Sequence, residues 1–129
     1  MSFEGVSMFV LYLGLGLALL ALFTRLYTWL TPYDEAHDIA QGKMAPAIAL
    51  AGALVGFTLP LLVASYTRSS VLGFLAWGAF ACFVQLALFW FLTYRLMPRM
   101  IETNNPAGAT CFAAASFSVG LINAASMLP

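Results

Sequence analysis

Hydrophobic residues in this chain run in unbroken stretches rather than at helical or strand intervals. Residues 5–24, 44–67, 69–94 and 103–129 contain no Asp, Glu, Lys or Arg. A helix rising about 1.5 Å per residue needs roughly 20 apolar residues to cross a hydrocarbon core about 30 Å thick, and each stretch is long enough. The pattern predicts an all-α fold of four transmembrane helices near residues 5–26, 44–66, 70–94 and 106–128, built as one integral membrane domain over 1–129.

The four stretches differ in side-chain size. The first is rich in Leu with Phe9, Tyr12 and Phe23, and the third carries Phe74, Trp77, Phe80, Phe83, Phe89, Trp90 and Phe91. The second and fourth are built from Ala, Gly and Ser. Lipid supplies no hydrophobic drive between helices, so association depends on close backbone approach, which small side chains allow. The second and fourth helices are therefore expected to form the packed interior. Ala45, Ala49, Gly52 and Gly56 mark one face of the second, ending in a GxxxG pair. That face suits either an interface between copies or packing against the fourth helix within one chain.

Polar side chains within the stretches are few: Gln85 in the third, then Ser116, Ser118, Asn123 and Ser126 in the fourth. Amides in hydrocarbon need partners, so Gln85 and Asn123 are expected to bond across helices, each bond worth about 1 kcal/mol. With Ser116 they are also the candidate lining of a pore, should several copies surround a shared axis. No ionisable acid, base or histidine falls at membrane depth, which argues against proton relays and ion-coupled pumps. Pro60 is expected to kink the second helix and free the carbonyl of Gly56, with Thr58 positioned to satisfy it.

The order of features repeats. Thr24-Arg25-Leu26 is echoed by Tyr94-Arg95-Leu96, Pro32 by Pro98, and Pro46-Ala47-Ile48-Ala49 by Pro106-Ala107-Gly108-Ala109. This predicts two hairpins related as a parallel repeat about an axis along the membrane normal. Arg25, Lys43, Arg95 and Arg99 border the first and third connections, against Arg68 in the second. The positive-inside bias predicts a cytoplasmic side for the two basic connections and a periplasmic side for both termini. Glu4 stands where a secretory signal would carry basic residues, so the first stretch is expected to remain in the mature protein.

Composition agrees: 63% of residues are hydrophobic and 8% charged, against roughly a quarter charged in soluble domains. A net charge of zero without a basic patch excludes nucleic-acid binding. Cys82 and Cys111 have no second Cys or His at ligand spacing and read as small apolar side chains, so no cofactor or metal is expected.

Charge concentrates in the first connection. Thr31-Pro32-Tyr33-Asp34 has the form of a helix start, with Thr31 as N-cap, and Gly42 closes the helix after Gln41. Tyr33, Ala36 and Ala40 then form a narrow apolar face. Asp34, Glu35 and Asp38, with Gln41, form an acidic face that anionic headgroups would repel and a cytoplasmic protein partner could engage. His37 with Asp34 and Asp38 has helical spacing for a divalent cation, although such a set is more often a solvated face.

Several separated motifs carry a family resemblance. They are Thr31-Pro32, Ala47 to Pro60 with its Ala-Gly pattern, Phe74-Leu75-Ala76-Trp77-Gly78, Gln85-Leu86, Asn104-Asn105-Pro106-Ala107, and Gly120-Leu121-Ile122-Asn123-Ala124-Ala125-Ser126-Met127. In these the chain resembles the YjfL-type family of small bacterial inner-membrane proteins, from about the end of the first span onward. The resemblance implies a four-helix inner-membrane protein with duplicated hairpins, and brings no reaction, substrate or catalytic residue. Residues and resemblance together lead to the expectation of a nonenzymatic homo-oligomer in contact with membrane lipid, a scaffold or sensor of envelope state. The alternative is a passive ion or small-solute pore formed by several copies.

Overall fold

The computed structural model describes residues 3–67, 70–96 and 99–128, leaving Arg68 and Pro98 of the charge and repeat patterns outside the described residues. It is all-helical: α1 (Phe3–Leu30), α2 (Glu35–Ala40), α3 (Met44–Thr67), α4 (Val71–Phe91) with a π-helical turn at Leu92–Leu96, and α5 (Pro106–Ser126). Among the described residues, four helices are long and apolar enough to cross a membrane.

α1 exceeds its predicted span because nothing breaks it before Pro32. The hydroxyls of Thr24, Thr28 and Thr31 donate to carbonyls of the preceding turn at 2.8–3.0 Å, which carries the helix past Arg25 to Leu30. The start of α2 corrects the expectation. Asp34, not Thr31, is its N-cap, accepting from the His37 N–H at 3.2 Å. The Thr31 hydroxyl instead faces the Thr28 and Tyr33 carbonyls at 2.8 and 2.9 Å and so belongs to the end of α1. Gly42 closes the segment at φ 83°, a conformation open to a residue without Cβ.

Helix directions follow from the contacts. Gly52 lies against Ala113 and Gly56 against Ser116, so α3 and α5 run parallel. Tyr12 meets Phe74 with ring centroids 5.3 Å apart and Tyr27 meets Phe89 at 4.1 Å, so α1 and α4 also run parallel. α3 and α5 form the closest pair, and both begin at the end that carries α2. There Asn104 accepts from the Ala45 N–H at 3.0 Å, and Asn105 caps α5 through the Gly108 N–H at 3.1 Å. Two adjacent asparagines thus cap the two small-residue helices side by side.

Rings join all four long helices near the same end. Phe57 of α3 stacks on Phe23 of α1 at 4.5 Å, Phe23 adjoins Tyr27, Tyr27 meets Phe89 of α4, and Phe89 meets Phe112 of α5 edge-on at 5.5 Å. All five rings are buried, whereas Trp77, Phe80, Phe83, Trp90 and Phe91 face outward. In water such exposure would be a liability; around a membrane helix it is the surface that lipid covers.

Candidate functional site

The small-residue face of α3 lies inside the chain. Ala45, Ala49 and Gly56 are buried and Gly52 is half-buried. A Cβ on Gly52 would collide with Ala113, and one on Gly56 with the Ser116 carbonyl. Pro60 is buried, and the Gly56 carbonyl that it leaves without a helical donor points onto Gly120 of α5, where a Cβ would collide with it. Glycine leaves an approach of Cα–H to O instead. Thr58 does not satisfy that carbonyl; its hydroxyl donates to Val55 at 2.7 Å.

The membrane-depth amides hold helices together. Gln85 Nε2 donates to the Ser116 carbonyl at 3.2 Å, and Asn123 Nδ2 to the Ala81 carbonyl at 3.4 Å, each joining α4 to α5. Gln85 and Ser116 are buried and Asn123 is half-buried. Gln85 and Ser116, two of the three residues expected to line a pore, are enclosed within their own chain.

The remaining polar cluster lies where α1, the first connection and α2 meet. Glu35, expected on an exposed acidic face with Asp34 and Asp38, is only 4% exposed. The acids divide three ways: Asp34 caps α2, Asp38 binds Lys43 Nζ at 3.3 Å, and Glu35 turns inward. The signal for this was Ile39, the branched aliphatic of α2, four residues beyond Glu35 and on the same face. α2 packs against α3, and Glu35 is drawn in with it.

Beside Glu35 stand Tyr27, with no exposed surface, and Tyr33. The two tyrosine hydroxyls face each other, and neither they nor the buried Oε1 of Glu35 makes a hydrogen bond of ordinary length among the described residues. Nor does the buried Thr93 hydroxyl, one turn beyond Phe89 in the π-helical turn. The same turn clasps α1: Tyr94 Oη donates to the Leu30 carbonyl at 2.7 Å. Burial raises the Glu35 pKa above the ordinary carboxyl value; the Thr31 hydroxyl and Glu35's own N–H oppose the rise, while Asp34 and Asp38 add to it. Burial and then the Glu35 charge push Tyr33 well above its ordinary value. Nothing in the sequence marks Tyr27 or Thr93, which carry no pattern beyond an aromatic or hydroxyl residue near a helix end, and the apolar face expected of Tyr33, Ala36 and Ala40 does not form: Tyr33 is half-buried while Ala36 and Ala40 are exposed. His37 is exposed, and among the described residues no three His, Cys, Asp or Glu side chains converge as a metal group.

The model of a family described as Domain of Unknown Function (DUF350) matches residues 1–127. The chain belongs to this family. A relative from Escherichia coli K12, UPF0719 inner membrane protein YjfL, is 32% identical over 128 residues, covering 96% of each chain. UPF0719 transmembrane protein YshE from Bacillus subtilis 168 is 28% identical over 113 residues, covering 85% of this chain and 84% of its own. No solved structure matches. As a DUF350 member with four apolar helices, the chain is a multi-pass inner-membrane protein.

Proposed function

We propose that this DUF350 protein is a nonenzymatic, homo-oligomeric sensor of envelope state, in which docking of α2 against the bundle is the responsive part. The observation that supports this reading is the inward carboxyl of Glu35. A six-residue helix on a short connection packs on α3 with Glu35 buried and Asp38 and Ile39 half-buried, while Ala36, His37, Ala40 and Gln41 face outward. A docked helix with an exposed far side suits exchange between the bundle and a protein partner. Arg25, Lys43, Arg95 and Arg99 lie at the α2 end, which by the positive-inside rule is the cytoplasmic one, with both termini periplasmic.

A photo-crosslinking residue placed at position 37 in living cells tests the reading. The expected result is a discrete cytoplasmic partner, and an uncrosslinked protein at normal abundance would reject the sensor. Purified protein in liposomes is expected to leave ion flux at background. Flux above it would favour a pore.

A further inference from the structure

Glu35 is buried among groups that give a negative charge no counter-ion. From α1 Tyr27 feels its charge, from the connection Tyr33, Asp34 and the Thr31 hydroxyl act with it, and from α2 itself Asp38. Glu102, before α5, acts on Tyr33, and the π-helical turn contributes the Thr93 hydroxyl to the same end of the bundle. α3, against which α2 packs, has no charged side chain. Of the cations at this end, Lys43 is engaged with Asp38 at 3.3 Å and Arg99 with Glu102 at 3.4 Å, and neither they nor Arg25 and Arg95 are among the groups that act on Glu35. An ionised carboxylate in such a place is disfavoured unless something positive joins it. Calcium takes about 6–8 oxygens, and here Glu35, Tyr27 and Tyr33 offer one carboxyl and two hydroxyls. A proton needs a single oxygen, and Oε1 is buried and unpartnered.

We propose that Glu35 is a proton-binding site whose occupancy decides whether α2 docks on the bundle. The proposal rests on the sensor reading only for its role in the cell. The sign follows from linkage. A carboxyl whose docked pKa lies above its undocked value favours docking fully below the ordinary carboxyl range, and the advantage is lost as pH rises through the raised value. Lower pH holds α2 down and higher pH releases it. Release turns Glu35 outward beside Asp34 and Asp38, recreating the acidic face that the sequence pattern described.

The test uses the full chain in lipid nanodiscs, titrated from the ordinary carboxyl range to mildly alkaline pH. Amide exchange of residues 35–41, corrected for intrinsic base catalysis, reports docking, and the infrared band of a protonated carboxyl reports the proton. Between the undocked and the docked carboxyl pKa, protection of α2 is expected to fall by up to about tenfold per pH unit, the slope for one linked proton, and to level off above the docked value. Glu35→Gln, permanently neutral, should flatten that slope and remove the titrating band. A flat profile in the natural protein, an unchanged slope in the variant, or docking restored at high pH by sodium, potassium, magnesium or calcium would overturn the proposal. Should the glutamine variant not fold, Ile39→Ala carries the test, because weaker docking must lower the pH of release and an unmoved release overturns it. A flat glutamine variant that still captures the same partner in cells supports the proton site and refutes only the sensor.

Discussion

At the scale of single residues, glycine has two unrelated uses here. Gly14 and Gly16 face open space on α1, whereas Gly56 and Gly120 sit where α3 and α5 backbones touch. Gly120→Ala is expected to destabilise the protein by about 1–3 kcal/mol, since backbone must move to admit the methyl. Gly14→Ala should be neutral or mildly stabilising. Thermal unfolding in mild detergent separates the two, and equal effects would contradict the α3–α5 contact. Gln85→Leu should lose about 1 kcal/mol with the Ser116 bond in the same assay. Sequence pattern brought Gly52 and Gly56 to notice but left their partner open, because spacing fixes a face of a helix and not what lies across from it. Glu35 shows the same limit more sharply: its neighbours along the chain are the exposed Asp34 and the half-buried, Lys43-paired Asp38, and its neighbours in space are tyrosines.

At the scale of elements, the paired N-termini of α3 and α5 depend on two asparagines. Asn105→Ala should lower stability by about 0.5–2 kcal/mol through loss of the α5 cap. Asn104 also sits at φ 57°, so Asn104→Gly, which accepts that backbone and loses only the bond to Ala45, should be milder than Asn104→Ala. Unfolding midpoints that rank otherwise would remove the cross-capping role. With its inner face against α3, α5 turns Ala107, Cys111, Ala114 and Ser118 outward. If copies associate through this face, oxidation of native membranes should yield a dimer linked through exposed Cys111 and lost in Cys111→Ser, while buried Cys82 stays unreacted. A monomer under those conditions would move the interface elsewhere.

At the scale of the whole molecule, the arrangement is asymmetric from end to end. The α2 end holds the ring cluster, both asparagine caps and the buried acid, while most of α1 beyond Phe23 and Tyr27 faces outward. Reporter fusions at either terminus should be active only as periplasmic reporters, and one inserted in the first connection only as a cytoplasmic reporter; the reverse would invert the orientation. The sequence by itself determined the number of crossings, their approximate limits, the membrane setting and the small-residue composition of α3 and α5. These depend on length and on the price of apolar surface in water, both local sums over the chain. Tertiary structure decided that the GxxxG face packs against α5, that the Gln85 amide donates to the Ser116 carbonyl across α4 and α5, and that Glu35 points inward. Each of those depends on which surface arrives opposite a residue. The chain order of side chains carries almost none of that information where every helix is apolar on all sides.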